Sequence, residues 1–122
     1  MKVAVSVEKK SLDAAVDPRF GRCAQMILVD TETMEIVGGG PNEAATAPGG
    51  AGTLAAQWVA DLGAEAVVTG NVGPNAFNVL NAAGIHVFTN AKGTAREAIQ
   101  SFLENKLGET SEPTAPRKSG MA

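Results

Sequence analysis

The stretch DPRFGRC, residues 17–23, sets the only cysteine of the chain beside two arginines and a glycine. Three chemistries are open to Cys23: a metal ligand, a reactive thiol, or a small apolar residue that begins a strand. Next to Arg19, Arg22 and helix N-termini, a thiolate is expected at a lowered pKa, which suits ligation. Burial is equally in character, since a lone cysteine is among the most buried residue types. Arg19 and Arg22 suit a delocalised anion, because guanidinium is weakly hydrated and presents a planar fork of donors. They also suit solvated loop positions with no partner of consequence.

TGNVGPNAF, residues 69–77, is the most informative stretch. Gly70, Asn71, Gly73 and Asn75 follow an apolar run and lead into a helix. One reading is that the glycines let backbone approach a ligand while helix amides offer a positive end to an anion. The other is a tight strand–helix turn in which Gly and Asn supply positive φ. GGAG, residues 49–52, opens another helix with Gly50 and Gly52 and repeats that ambiguity, a flexible hinge being its plainer meaning. It lacks the Lys-Ser/Thr of a nucleotide P-loop and the context of a dinucleotide fingerprint. His86, within IHVF, is a second candidate metal ligand or a structural strand residue. Met26 and Met34 read as core or hairpin residues.

Catalytic constellations are thin. No Ser–His–acid pattern occurs, and the single histidine has no acidic neighbour in sequence. Metal-dependent nuclease chemistry needs clustered carboxylates, which the first strand and the 70–74 turn lack. A non-catalytic role is therefore expected.

The elements that must position these residues follow from pattern. A chain of 122 residues is expected to form one domain, with a core drawn from Val, Ile, Leu and Ala because only four Phe, one Trp and no Tyr are present. A net charge of −3 argues against nucleic acid or an anionic membrane as partner. One cysteine excludes an internal disulfide or an all-cysteine metal site within one chain. No signal peptide or membrane span is legible, so a cytoplasmic monomer is expected.

Strands are expected at residues 2–7, 24–30, 34–38, 64–69 and 85–88, the second and third joined as a hairpin by TET. Helices are expected at residues 53–62, 73–83 and 94–107, the last opened by a Thr94/Glu97 capping box. Residues 38–52 read as a long loop, of which 40–50 are expected to be mobile without ligand and ordered with it. The fold domain is expected over 1–108, and residues 109–122 as a disordered tail contributing nothing to the fold. The order gives an α/β fold: a mixed five-stranded sheet with strand 2 antiparallel, flanked by three helices. The connections after strands 1, 3, 4 and 5 should then leave from one rim, where open α/β sheets place ligands.

MKVAVSVE, DPRFGRC, the run GGAGTLAAQWVADLGAEAVVTGNVGPNAFNVLNAAGI and GTAREAIQSFL together resemble the dinitrogenase iron–molybdenum cofactor biosynthesis family, in order, over about residues 1–107. The resemblance implies a ribonuclease-H-like fold and the binding, carriage or storage of molybdenum- and iron-containing sulfide clusters or their precursors. The chain is also similar to the small stand-alone members called orange proteins, associated with a mixed molybdenum–copper sulfide cluster. Phe20-Gly21-Arg22 matches the family's loop motif, and residues 70–77 match its glycine turn. Many members carry a histidine where this chain has Arg19, which removes an imidazole, and alanine is frequent at the place of Cys23.

Such a cluster brings its own sulfides and is anionic, so a cradle of amides, arginines and an apolar wall suffices. The expectation is a metal–sulfur cluster carrier or store, with cluster donor and acceptor proteins as partners. The rival is a signalling or partner-binding module regulated by a small anion or nucleotide.

Overall fold

The computed structural model describes residues 1–114. The strands are β1 (Lys2–Val7), β2 (Gln25–Asp30), β3 (Glu35–Pro41), β4 (Ala66–Val68) and β5 (His86–Phe88). The helices are α1 (Ala51–Asp61), α2 (Pro74–Ala82) and α3 (Ala95–Leu103). The sheet runs β3-β2-β1-β4-β5. β2 is antiparallel to both β1 and β3, while β4 and β5 run parallel to β1.

Helices cover both faces, so β1 is buried on both sides beyond Lys2. Its Val3, Val5 and Val7 join Ile27, Val29, Ala66 and Val68 beneath Ala95, Ala98 and Ile99 of α3. On the other face Ala4, Met26, Leu28 and Val67 pack against Ala55, Ala56, Val59, Phe77 and Leu80 of α1 and α2. Small residues on both sides let the layers close with few large aromatics, Phe20 and Phe77 being the buried ones on the α1–α2 face. In α1 the buried face is Ala55, Ala56 and Val59, and Leu54 is left 49% exposed rather than inside.

Several boundaries move for local reasons. β3 starts after Met34, whose φ of 55° closes the hairpin, and it continues through the glycines to Pro41. At Gly39 φ is +95°, and a Cβ there would run into the Met26 carbonyl, so glycine is what lets this edge strand follow β2. The 38–52 segment is accordingly no featureless loop: it holds the end of β3 and a 3-10 turn at Glu43–Thr46 capped by Asn42. α3 stops at Leu103 because Asn105 turns left-handed at φ 59°. Leu107 still packs beside the α3-side core.

The chain after Gly108 also departs from the expected structureless tail. Glu109 bridges to Phe88, and the Thr110 amide donates to the Val87 carbonyl at 2.7 Å. The remainder of that expected tail, residues 115–122, lies outside the described residues.

Candidate functional site

Strand register decides where the loops meet. Val7 ends β1 opposite Gln25, which begins β2, and Gln25 lies opposite Pro41 at the end of β3. β4 and β5 end side by side at Val68 and Phe88. Residues 8–24, 42–50, 69–73 and 89–94 therefore share one rim, as the sequence requires.

Asp17 organises the DPRFGRC loop. The residue is 3% exposed, and its Oδ1 accepts from the Arg19 amide at 3.0 Å while Oδ2 accepts from the Ala24 amide at 3.1 Å. The Arg19 guanidinium closes on the same carboxylate at 3.3 Å. Ser6 in β1 fixes the start of the loop, its hydroxyl donating to the Asp17 carbonyl at 2.7 Å and lying 2.7 Å from the Thr69 hydroxyl. Phe20, expected to touch the ligand, is instead 1% exposed and plugs the loop into the α1–α2 core. Sequence reasoning passed over Asp17, although an aspartate before Pro is a known turn-former through its own side chain.

Backbone packs on backbone across the rim. The Phe20 amide donates to the Asn71 carbonyl at 3.2 Å and the Asn71 amide to the Pro18 carbonyl at 2.8 Å. A Cβ on Gly70 would stand 2.6 Å from the Pro18 Cα, and one on Gly21 would stand 2.7 Å from the Gly52 Cα. None of Gly70, Asn71, Gly73 or Asn75 has positive φ. Close approach, not left-handed geometry, is why this turn needs glycine; Gly50, at φ +73°, is the residue that does need it.

Two helices begin at this junction. α1 starts after Gly50 and α2 after Gly73, with Pro74 in its first turn, and neither cap residue supplies a side-chain acceptor. Gly52 and Ala76, both in first turns, meet so closely that a Cβ on Gly52 would lie 3.1 Å from that of Ala76. Two sets of uncapped amides with their positive dipole ends therefore adjoin under the 20–22 loop. Asn71 and Asn75 stand exposed beside them. The Arg22 Nη1 donates to the carbonyls of Ala45 and Ala47 at 2.9 and 3.1 Å, tethering the 42–50 segment. Among the described residues Arg22 has no carboxylate partner, so its charge is uncompensated, unlike that of Arg19. Asn42, 6% exposed, completes the tether by donating to the Gly21 and Cys23 carbonyls at 3.0 and 3.1 Å.

The structure does not bring the two expected metal ligands together. Cys23 is fully buried among the α1–α2 core residues. Burial, seconded by the nearby Asp17 charge, pushes its thiol up to about 12, the opposite of the lowering expected from the arginines. His86 lies at the far end of the sheet, in register with Ala66, which faces Val3. Its half-exposed ring pairs with Glu109 at 2.9 Å, away from the rim. Among the described residues no group of three His, Cys, Asp or Glu could hold a metal ion. A separate cavity of about 310 Å³ opens between residues 41–44 and α1, against Leu54 and Trp58, and none of the expected site residues lines it.

Comparison with known proteins places this geometry. Residues 1–105 match the family model described as dinitrogenase iron-molybdenum cofactor. The apo orange protein from Desulfovibrio gigas is similar in structure with a TM-score of 0.89 and 41% identity, over 93% of this chain and 96% of that one. A Thermotoga protein described as a NifB protein follows with a TM-score of 0.79 and 35% identity, over 93% and 97% of the two chains. An uncharacterized Methanocaldococcus jannaschii protein is 34% identical over 109 residues, 88% of this chain and 89% of its own.

Proposed function

The chain belongs to the dinitrogenase iron–molybdenum cofactor family, and from that premise we propose that it binds an anionic molybdenum-containing metal–sulfur cluster and carries or stores it without catalysing a reaction. The observation that carries this reading is the meeting of two uncapped helix N-termini beneath an arginine-bearing loop. Helix amides and guanidinium groups attract an anion of any internal composition. They make no covalent bond to a metal that already holds its sulfides. That matches a rim with one protonated, buried thiol and, among the described residues, no group of three metal-ligating side chains. A cargo held by hydrogen bonds and charge is released without breaking a metal–ligand bond, as a carrier requires.

Similarity to the orange proteins favours a molybdenum–copper sulfide as cargo; the family description favours an iron–molybdenum cofactor precursor. In this reading the scaffold is a ribonuclease-H-like sheet and the protein a cytoplasmic monomer, loaded by a donor protein and emptied by an acceptor. No helix among the described residues is long and apolar enough to cross a membrane.

The test is anaerobic reconstitution with tetrathiomolybdate, with and without copper(I), followed by desalting, metal analysis and visible spectroscopy. Wild type should retain molybdenum, and retention should fall with added salt. An Arg19→Gln/Arg22→Gln protein should retain less and depend less on salt. Absence of retention by wild type, or identical retention by both proteins at every salt concentration, overturns the reading.

A further inference from the structure

The glycine turn at residues 70–73 is held from two sides. On the inner side the polar backbone groups of Asn71 engage Pro18 and Phe20, as described above. On the outer side both polar backbone groups of Val72 engage a single residue, Thr114. The Val72 amide donates to the Thr114 hydroxyl at 3.0 Å, and the Thr114 amide donates to the Val72 carbonyl at 2.9 Å. Thr114 thus closes the turn as a neighbouring strand would, forty-two residues away in sequence.

The segment that delivers Thr114 is lightly attached. Leu107 is its last apolar anchor. Beyond it, residues 109 and 111–114 are exposed and Thr110 is only half-buried. The contacts are polar: the Glu109–Phe88 bridge, the exposed His86–Glu109 pair at 2.9 Å, the Thr110 amide on the Val87 carbonyl, and the Thr110 and Thr89 hydroxyls 2.6 Å apart. Segments with exposed hydrogen bonds and little buried apolar area open at low free energy, without the rest of the fold.

We propose that residues 109–114 form a detachable strap that holds the glycine turn of the site from outside, with Thr114 as its positioning residue. While docked, the strap keeps the 70–73 backbone pressed against the 18–20 loop and the start of α2 in place. Undocking loosens that frame and speeds departure of the anion. The strap also covers the open edge of β5, so a partner that pairs with this edge would displace it. This inference rests on the reading of the site given above.

The experiment compares full-length wild type, Thr114→Val, which keeps the shape and removes the hydroxyl, and Thr114→Ser, which restores it. Amide hydrogen exchange at Val72 is measured without cargo, and the dissociation rate of tetrathiomolybdate is measured on the loaded proteins. Thr114→Val should raise Val72 exchange roughly fivefold, as expected for one lost hydrogen bond. It should raise the release rate by a similar factor, and Thr114→Ser should return both to wild type. Unchanged Val72 exchange in Thr114→Val overturns the strap, and so does faster exchange with an unchanged release rate. If wild type itself fails to hold tetrathiomolybdate, the reading of the site is what fails, and Val72 exchange alone then decides whether the strap holds the turn.

Discussion

The N-terminus of α3 and those of α1 and α2 solve the same problem in opposite ways. Every helix starts with amides that have no partner inside it. In α3 the Thr94 hydroxyl accepts from the Glu97 amide at 3.1 Å and the Glu97 carboxylate accepts from the Thr94 amide at 2.9 Å. The terminus is closed, and the glutamate already sits against the positive dipole end. At α1 and α2 the cap residues are glycines and no side chain reaches back. All three helices start at the same rim. Chain stability alone would favour a side-chain cap on all of them, although over a glycine cap the gain is only about a few tenths of a kcal/mol. The two left open are the two that touch each other through Gly52 and Ala76, with Gly21 above them. Two glycine caps without side-chain bonds, set against a third helix closed by a full capping box, are the contrast on which the proposed anion site rests.

The sharpest way to break this contrast is to close an open terminus. Gly73 is extended, at φ −79° and ψ 170°, the usual conformation of a capping residue. Gly73→Asp should therefore place a carboxylate on the first amides of α2 and raise unfolding stability by up to about 1 kcal/mol in denaturant titration. The same carboxylate should lower tetrathiomolybdate affinity more than about tenfold, because it occupies the amides and repels the anion. Gain in stability with loss of binding is the expected pair; unchanged binding would place the anion elsewhere.

A second prediction separates amides from thiolate. The Cys23 thiol titrates near 12 in the folded chain against an ordinary value of 9.0. Between those values only the unfolded chain releases its proton, so stability should fall as pH rises from about 9 towards 12. Cys23→Ala should remove this part of the alkaline loss, measured by denaturant midpoints at each pH, and should leave tetrathiomolybdate retention at the wild-type level. Loss of retention in Cys23→Ala would break the comparison, since a direct metal–sulfur bond would then replace the amide cradle.

The smallest effect is expected at the closed terminus. Thr94→Ala should cost about 1 kcal/mol of stability through the lost cap. It should leave both affinity and its salt dependence unchanged, as measured by desalting retention at two ionic strengths.

Much of the architecture was legible because it depends on short-range pattern. Alternating valines in β1, the apolar run of β4 and the Thr94/Glu97 pair specify local structure that packing then confirms. The convergence of loops at one rim followed from strand order alone. Glycine was read less well. The run at 38–40 looked like loop, yet it carries β3 along β2, because a glycine strand reveals itself only against a neighbour. Phe20, as part of the FGR loop motif, is expected at the ligand, and its burial depends on packing against α1 and α2 that no local pattern announces.

By itself, then, the sequence determined the order of elements, the capped start of α3, the rim at which the loops gather and the family resemblance. Those rest on residue periodicity and on motifs a few residues long. Only the tertiary structure decided that Cys23 is a buried, protonated core residue, that His86 lies at the far end of the sheet, and that Thr114 clasps Val72 from forty-two positions away. Each of those depends on the low-dielectric interior or on contacts between distant segments, which exist only once the chain has closed on itself.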